Sequence, residues 1–302
     1  MTLKPSDRLT VLSDEISQDL PVVAAFVREF GLKGIELRSA FGRAFKDLTA
    51  ADLAEVGWTA GSEGWAIYGC ATPVFKCELG DTAATREHGE IFRRSLDTAQ
   101  LLDCKLLRVF TFLRRAGAGP LAVDTAKQIA EHLRPLCDLA AEAGIKVGIE
   151  NAASCLVGTP AETALLCQQL AHPAAGIIWD PCNVLYVPEW SNPVPGQSAA
   201  EALAAAYREL APHIIHVHVK DALRAPGGPQ AAPVGAGHVG WAEQLGAIRE
   251  SSYSGLISLE THWRKAVALD AHTLHLPGGY GFSAGGEEAS RICFSTLRKL
   301  WG

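Results

Sequence analysis

The 302-residue sequence lacks any run of about 18 uninterrupted apolar residues, the length that a membrane-spanning helix requires. Its first fifteen residues, MTLKPSDRLTVLSDE, also lack the basic segment and following apolar run that are typical of a secretory signal. These two absences predict a cytoplasmic protein with no membrane partner.

The sequence also lacks closely spaced cysteines and an excess of positive charge. The eight cysteines are scattered and include no C-x-x-C pair, which argues against a disulfide framework or a zinc knuckle. Lysine and arginine number 27 against 33 aspartates and glutamates, so the formal net charge is −6. Such a balance gives no general attraction to polyanions, and we expect no nucleic-acid partner.

What the sequence does contain is a regular alternation of short apolar runs and amphipathic, alanine- and leucine-rich segments. The runs predict eight strands, at 10–16, 34–38, 66–73, 106–112, 146–151, 176–183, 213–221 and 255–260. Helical segments separate them, and each unit averages about 38 residues, which fits a (β/α)₈ TIM barrel. No linker divides the chain, so residues 1–302 are predicted to form one domain. Long connections at 184–197 and 263–285 follow strands and should lie on the catalytic face.

Each of the last four predicted strands ends in a side chain that can bind a metal. These are Glu150, Asp180, His218 and Glu260. Any one of them alone could be a polar strand end that faces water, but four consecutive strands with such a residue at one height are hard to reconcile with chance. Three carboxylates and one imidazole form an oxygen-rich set that suits Mn²⁺, which we prefer, or Mg²⁺ or Co²⁺, with Zn²⁺ as a further alternative.

The motifs around these positions resemble the xylose isomerase-like TIM-barrel superfamily, which contains sugar and sugar-phosphate isomerases and epimerases, inosose dehydratases and endonuclease IV. The similar segments are GLKGIELR at 31–38, GIEN at 148–151, WDPCN at 179–183, HVHVKD at 216–221, VGAGHVGW at 234–241 and LISLETH at 256–262. The resemblance implies that Glu150, Asp180, His218 and Glu260 ligate the metal. It also implies that Glu150 and Glu260 are catalytic proton carriers, as in the epimerases.

Two details of the resemblance matter for the site. In the family the ligand is the histidine two residues before the KD pair, here His218, so His216 lies one inward layer deeper and should support the ligands from behind. Endonuclease IV has further zinc ligands, including a histidine where this sequence has Asn183 and an Asp-x-His before the GAG turn, and neither is present. This departure and the acidic composition argue against a nuclease.

Further polar residues at or near strand ends are candidates for substrate binding. They are Glu36, Arg38, Lys76, Arg108, Asn183, Lys220, Arg224 and His262, and Glu15 is a further candidate at the rim. Two alternatives stay open: Glu36 and Arg108 could form an internal salt bridge, and Lys76 and Arg224 could be ordinary solvated loop charges. In the 263–285 connection, Tyr280 and Phe282 could cap a bound sugar as part of a glycine-hinged lid.

The ligand set and the resemblance together favour proton transfer next to a carbonyl. We expect a divalent-metal-dependent isomerase or epimerase of a sugar or sugar phosphate that acts through an enediolate. A metal-dependent dehydratase or lyase on a keto-sugar or inosose is the alternative, because loss of a β-substituent proceeds from the same intermediate. A non-catalytic sugar-binding barrel is the competing class. A homo-oligomer is expected from the resemblance alone.

Overall fold

This computed structural model describes residues 4–188, 190, 196–266, 269, 273 and 280–302. Eight parallel strands form its central sheet. They are β1 (Leu9–Val11), β2 (Gly34–Leu37), β3 (Ala66–Ala71), β4 (Leu106–Val109), β5 (Lys146–Glu150), β6 (Ala175–Trp179), β7 (Ile214–Val219) and β8 (Leu256–Leu259). The eight predicted strands are confirmed, and every one is shorter than predicted.

The strand order closes the sheet into a barrel. Neighbouring strands run β1-β8-β7-β6-β5-β4-β3-β2. The two end strands of this order meet through a parallel bridge between Leu12, just after β1, and Glu36 of β2. The predicted (β/α)₈ architecture is therefore confirmed, and the carboxyl ends of all eight strands open on one face.

Helices alternate with the strands and cover the outside of the barrel. They are α1 (Leu20–Phe30), α2 (Ala50–Glu63), α3 (Thr82–Leu101), α4 (Val123–Glu142), α5 (Pro160–Leu170), α6 (Pro181–Leu185), α7 (Ala199–Leu210), α8 (Trp241–Glu250), α9 (Tyr280–Ser283) and α10 (Gly286–Trp301). Capping boxes start three of them, because Thr49, Thr159 and Ser198 each accept the backbone N–H three residues later. None of the described helices is long and apolar enough to cross a membrane.

The main apolar core lies between the strands and this outer layer of helices. Val217 and Val219 of β7 are fully buried on the helix side, while the alternate residues of the strand point into the barrel. At the seam between the first and last helices, the rings of Phe26 and Phe294 meet edge to face with centroids 5.8 Å apart. This packing fixes the strands, and with them the height of every inward-facing side chain.

The structure differs from the sequence prediction after β6 and after β7. The predicted strand 176–183 stops at Trp179, because Pro181 begins α6 and Asp180 is the N-cap residue of that helix. The predicted strand 213–221 stops at Val219, and a hairpin formed by Asp221–Ala225 and Gly228–Ala232 follows it. A second short hairpin pairs Ser39–Ala40 with Arg43–Ala44.

The two extended connections are described in part. In the first, predicted at 184–197, residues 189 and 191–195 are outside the described residues, and its first residues belong to α6. In the second, 267–268, 270–272 and 274–279 are outside the described residues, so the predicted lid lies largely there. Phe282 is described and is fully buried. The role of Phe282 as a cap over a bound sugar stays a prediction.

Candidate metal centre and active site

The four side chains predicted as metal ligands meet at the carboxyl ends of β5 to β8. Glu150 ends β5, Asp180 caps α6, His218 lies within β7 and Glu260 follows β8 directly. Each offers one ligand atom, and these atoms all lie within 4.8 Å of one another. All four side chains are buried. The barrel thus brings three carboxylates and one imidazole together in the interior.

His218 has one ring nitrogen engaged and the other aimed at the cluster. Its Nε2 lies 3.2 Å from both carboxylate oxygens of Glu36. Its Nδ1 lies 3.6 Å from Glu150 Oε1 and 3.7 Å from Glu260 Oε2, and it has no hydrogen-bond partner among the described residues. A proton on Nε2 that is donated to Glu36 leaves the Nδ1 lone pair for a metal ion.

Glu36 lies beneath this cluster and holds both histidines of β7. Its Oε2 is 3.1 Å from Nε2 of His216, whose ring meets that of His218 edge to face at 5.3 Å. Space for the Glu36 side chain depends on Gly69 of β3, because a Cβ there would lie 2.7 Å from Glu36 Cγ. The assignment of Glu36 to substrate binding is therefore corrected: its carboxylate is fully buried and taken up by His216 and His218.

Ion pairing among these buried groups lowers the pKa values of the carboxyl groups and raises the pKa of the imidazole. Burial alone would raise the pKa of Glu36, but His218 and His216 hold it well below its usual value. Burial would lower the pKa of His218, yet Glu36 and Glu150 raise it to about 10. Burial opposes the charge of Glu150 too, and Arg108 brings the pKa of that carboxyl down to about 2. Because the imidazole is protonated in this arrangement, a metal ion at Nδ1 would displace a proton.

Lys220 adds an ammonium group to the same cluster. It follows β7, is buried, and places Nζ against Asp180 and 2.5 Å from Glu260 Oε2. Burial would lower the pKa of Lys220, but Asp180 and Glu260 raise it well above its usual value. Lys220 therefore stays charged. A metal ion held by the predicted ligands would bind Asp180 and Glu260 at the same time as the Lys220 ammonium.

Arg38, which directly follows β2, supports Glu260. Its guanidinium donates to Glu260 Oε1 at 2.6 Å, to Glu15 Oε1 at 2.8 Å and to Asp14 Oδ2 at 2.9 Å. The side chains of Arg38, Asp14 and Glu15 are all buried. The predictions that Arg38 binds substrate and that Glu15 lies at the rim are therefore corrected, because three carboxylates occupy the guanidinium inside the protein.

The described end of the second long connection packs onto this network. The ring of Phe282 lies 4.2 Å from Cζ of Arg38 and 5.6 Å from Cζ of Arg264. Arg264 in turn donates to Glu15 Oε2 at 3.2 Å. His262 lies 3.4 Å from Glu260 Oε1 by its Nε2 and borders the cleft above the cluster. Residues 280–285 are thus linked to Glu260 through a buried arginine.

Two asparagines hold two of the predicted ligands in place. Asn183 donates from Nδ2 to Glu150 Oε1 at 3.1 Å and to the carbonyl of Asn151 at 2.8 Å. Asn151 accepts the backbone N–H of Asp180 at 2.9 Å and donates to the carbonyl of the same residue at 2.9 Å. Asn183, predicted to bind substrate, borders the cleft as well, and Asn151 fixes the corner at which Asp180 stands.

A cleft of ≈ 970 Å³ opens above the cluster. Most of its polar lining is charged or ionisable: Lys76, Glu78, Arg108, Arg114, Arg115, Glu150, Lys220, Glu260 and His262. Arg224 is outside this lining; its side chain is exposed and donates to the carbonyl of Trp190 at 3.0 Å. The assignment of Arg224 to substrate binding is therefore corrected, since it is a solvated charge on the hairpin after β7.

The donor set fits a divalent ion. His218 Nδ1 is buried and has no hydrogen-bond partner among the described residues, and it offers a lone pair once its proton is displaced. Glu150 Oε2 is buried and forms an ion pair with Arg108 Nη1 at 3.1 Å, and an acceptor oxygen of this kind has a further lone pair to offer. Burying the His218 nitrogen without a partner is costly, and a cation would remove that cost. Three carboxylates with one imidazole are ligands suited to hard or borderline divalent ions.

Sequence reasoning did not find several residues that shape this site. Asp14, Asn151 and Arg264 were missed, and Glu36 was given the wrong role. Asn151 stands next to a predicted ligand and Asp14 next to Glu15, so proximity to strand ends could have drawn attention to them. Arg264 lies in a connection without periodicity, and no sequence pattern marks it.

The sequence matches the family model described as xylose isomerase-like TIM barrel over residues 24–292. No curated protein matches the sequence significantly.

Solved structures with the same architecture cover nearly the whole chain. A structure of the IolI protein with a bound zinc atom is 17% identical, has a TM-score of 0.71, and the match covers 97% of this chain and 98% of that one. A D-allulose 3-epimerase from Methylomonas sp. in complex with D-allulose is 15% identical with a TM-score of 0.71, over 99% of both chains.

A third similar structure is the probable 3-DHS dehydratase AsbF from Bacillus anthracis, which is 15% identical with a TM-score of 0.66, over 95% of this chain and 98% of that one. At these identities the similarity establishes the fold. The similar structures thus include enzymes, namely a D-allulose 3-epimerase and a probable dehydratase.

Proposed function

The chain belongs to the xylose isomerase-like TIM-barrel family, and from this premise we propose that it is a divalent-metal-dependent isomerase or epimerase of a sugar or sugar derivative. One observation carries the proposal: Glu150, Asp180, His218 and Glu260 place their ligand atoms within 4.8 Å of one another beneath an open cleft. These four residues would hold the ion.

The chemistry that a bound ion supplies is Lewis acidity, which makes a proton next to a carbonyl easier to remove. Glu150 and Glu260 are the groups that carry protons. Glu150 is ionised, because Arg108 holds the pKa of its carboxyl low, and Asn183 fixes one of its oxygens. Glu260 is oriented by Arg38 and Lys220. Removal by one glutamate and return by the other gives epimerisation, whereas return at the neighbouring carbon gives aldose–ketose isomerisation.

The experiment compares chelator-stripped protein with protein reloaded with Mn²⁺. Incorporation of solvent deuterium into a panel of keto-sugars should appear only after reloading, because the carboxylates alone do not activate the carbonyl. Full activity of protein that elemental analysis shows to be metal-free would overturn the proposal.

A second readout does not depend on turnover. Calorimetric titration with Mn²⁺ should show binding to the wild type and a loss of affinity on the order of 100-fold or more in His218→Ala, which removes a ligand. His213→Ala is the matched control, since His213 is an exposed histidine just before the same strand. Equal affinity of wild type and His218→Ala would contradict the assignment of this ligand.

A dehydratase or lyase is the second candidate, and Lys220 is the observation that favours it. Its buried ammonium borders the cleft beside Asp180 and Glu260, where it could donate a proton to a departing hydroxyl group. An ultraviolet-absorbing conjugated product from a keto-sugar or inosose would favour elimination over epimerisation.

A further inference from the structure

The wall of the cleft formed by the early strands carries two cations around one aromatic ring. Lys76 follows β3 and Arg108 lies in β4, and both border the cleft. Lys76 Nζ lies 4.5 Å and Arg108 Cζ 4.7 Å from the ring centroid of Phe110. The two positive groups are thus held on one wall, next to Glu150 of the proposed metal centre.

Arg108 has donors left over in this arrangement. It is 3% exposed, and its described ion pairs join Nη1 to Glu150 Oε2 at 3.1 Å and to Glu260 Oε1 at 3.9 Å. Its Nε is buried and has no hydrogen-bond partner among the described residues. A buried guanidinium with an idle donor beside an open cleft is suited to receive an oxyanion.

Charge balance gives a second, independent argument. A divalent ion and the Lys220 ammonium would together balance the three carboxylates Glu150, Asp180 and Glu260. Arg108 would then have lost the neutralising charge of both its described acidic partners. Burial lowers the pKa of Lys76, and the charge of Arg108 lowers it further. An anion between the two would therefore stabilise both.

The two other arginines of the wall, Arg114 and Arg115, already form ion pairs with glutamates outside the cluster. Arg114 donates to Glu162 at 2.6 Å and to three backbone carbonyls. The exposed Arg115 pairs with Glu78 at 3.1 Å. In this wall, the half-buried Lys76 and the buried Arg108 are therefore the pair that combines proximity to the cluster with an unused donor on Arg108.

We infer that Lys76 and Arg108 form a binding subsite for an anionic group of the substrate, so that the site acts on a sugar derivative carrying a carboxylate or a phosphate. The inference rests on the proposed function, because it names the substrate class of the same cleft. A neutral sugar would leave the buried guanidinium without an oxyanion partner.

The test measures binding rather than turnover. Mn²⁺-loaded protein is titrated calorimetrically with D-fructuronate, D-fructose 6-phosphate and D-fructose, which share a ketose head and differ at the far carbon. Charge-assisted hydrogen bonds should make at least one of the two anions bind about 10- to 100-fold more tightly than fructose. The tighter of the two identifies the anion as carboxylate or phosphate. Equal binding of all three sugars, or binding of none, overturns the inference.

Variants locate the preference. Lys76→Met should remove most of the preference for the anion and leave binding of fructose unchanged, whereas Lys76→Arg should retain it. Arg115→Met is the matched control, because it removes a cation from the same cleft whose partner is Glu78. A preference that survives Lys76→Met, or that is lost in Arg115→Met, contradicts the subsite. Arg108→Lys, which keeps the charge, serves as the second variant and should weaken the preference by removing the bidentate donor.

Deuterium exchange on the same three sugars separates this inference from the proposed function. An anion preference without exchange into any sugar would support the subsite and count against the isomerase. Exchange into fructose with no anion preference would support the isomerase and count against the subsite.

Discussion

The early and late strands of this barrel bring opposite charges to one cleft. From β5 onward the strand ends supply three acids, namely Glu150, Asp180 and Glu260, and the single ammonium of Lys220 lies between two of them. From β2 to β4 they supply cations, namely Arg38, Lys76 and Arg108. The ligand atoms of these acids lie within 4.8 Å of one another, whereas two of the cations, Arg38 and Arg108, contact acids of the late strands.

This difference explains how so many charges are buried together. An isolated buried carboxylate or guanidinium costs several kcal/mol, and the cost is offset only when partners are well placed. Arg38 shows this arrangement, because it meets three carboxylates within hydrogen-bond distance. The late strands therefore present the proposed metal ligands, and Arg38 and Arg108 of the early strands form ion pairs with two of them.

The largest expected effect comes from the acids of the late strands. Glu150→Gln or Glu260→Gln should lower turnover by about 10²- to 10⁴-fold, since a positioned general base contributes that much. Steady-state rates with the best substrate measure it. Glu78→Gln is the control, because Glu78 borders the same cleft but pairs with the exposed Arg115. Retention of more than about a tenth of the wild-type rate in either variant argues against a proton-carrying role.

A cation of the early strands should instead affect stability. Arg38→Met leaves the buried carboxylates of Asp14 and Glu15 without their shared partner, and we expect a loss of about 3–5 kcal/mol in the free energy of unfolding. Arg28→Met offers a matched comparison, because Arg28 pairs with Glu63 on the surface and should lose no more than about 1 kcal/mol. Denaturant unfolding of both variants measures the difference. Similar losses in the two would mean that the buried network does not support the fold.

The sequence allowed the late-strand acids to be predicted but not their partners. Glu150, Asp180, His218 and Glu260 each stand at the end of an apolar run, and parallel strands bring such ends to one height. Strand parity showed that Glu36 points inward, yet it could not show which side chain it meets across the barrel. Glu36 contacts His216 and His218, while Arg108, considered as its partner, pairs with Glu150.

Breaks in regular structure account for the remaining differences. Asp180 and Lys220 were assigned to strands, but both lie just beyond a strand end, where backbone direction changes. The turn at Pro181 makes Asp180 a helix cap, and the hairpin after Lys220 leaves its side chain free to fold back onto the cluster. Arg264 depends on contacts with residues far away in sequence, and local pattern does not encode such contacts.

Glu36 is an exception to the pattern of cations on β2 to β4, because it is an acid that contacts a proposed metal ligand of a late strand. Glu36→Gln removes the charge that fixes the proton on Nε2 of His218, and metal affinity should fall by about 10- to 100-fold. Mn²⁺ titration of the variant measures this. Glu63→Gln, which alters a surface carboxylate, should leave the affinity unchanged. An unchanged affinity in Glu36→Gln would show that this carboxylate does not tune the ligand.

The smallest expected effect belongs to His216, the deeper histidine of β7. Its ring fills space between Glu36 and His218 and its Nε2 lies 3.1 Å from the Glu36 carboxylate, so His216→Ala removes a buried hydrogen bond and leaves a cavity. We expect the free energy of unfolding to fall by about 1–3 kcal/mol. Metal affinity should change less than in Glu36→Gln, because His218 keeps its own contact with Glu36. Thermal unfolding and Mn²⁺ titration together test this, with the exposed His213→Ala as control. If His216→Ala abolished metal binding while His218→Ala did not, the ligand would be the deeper histidine.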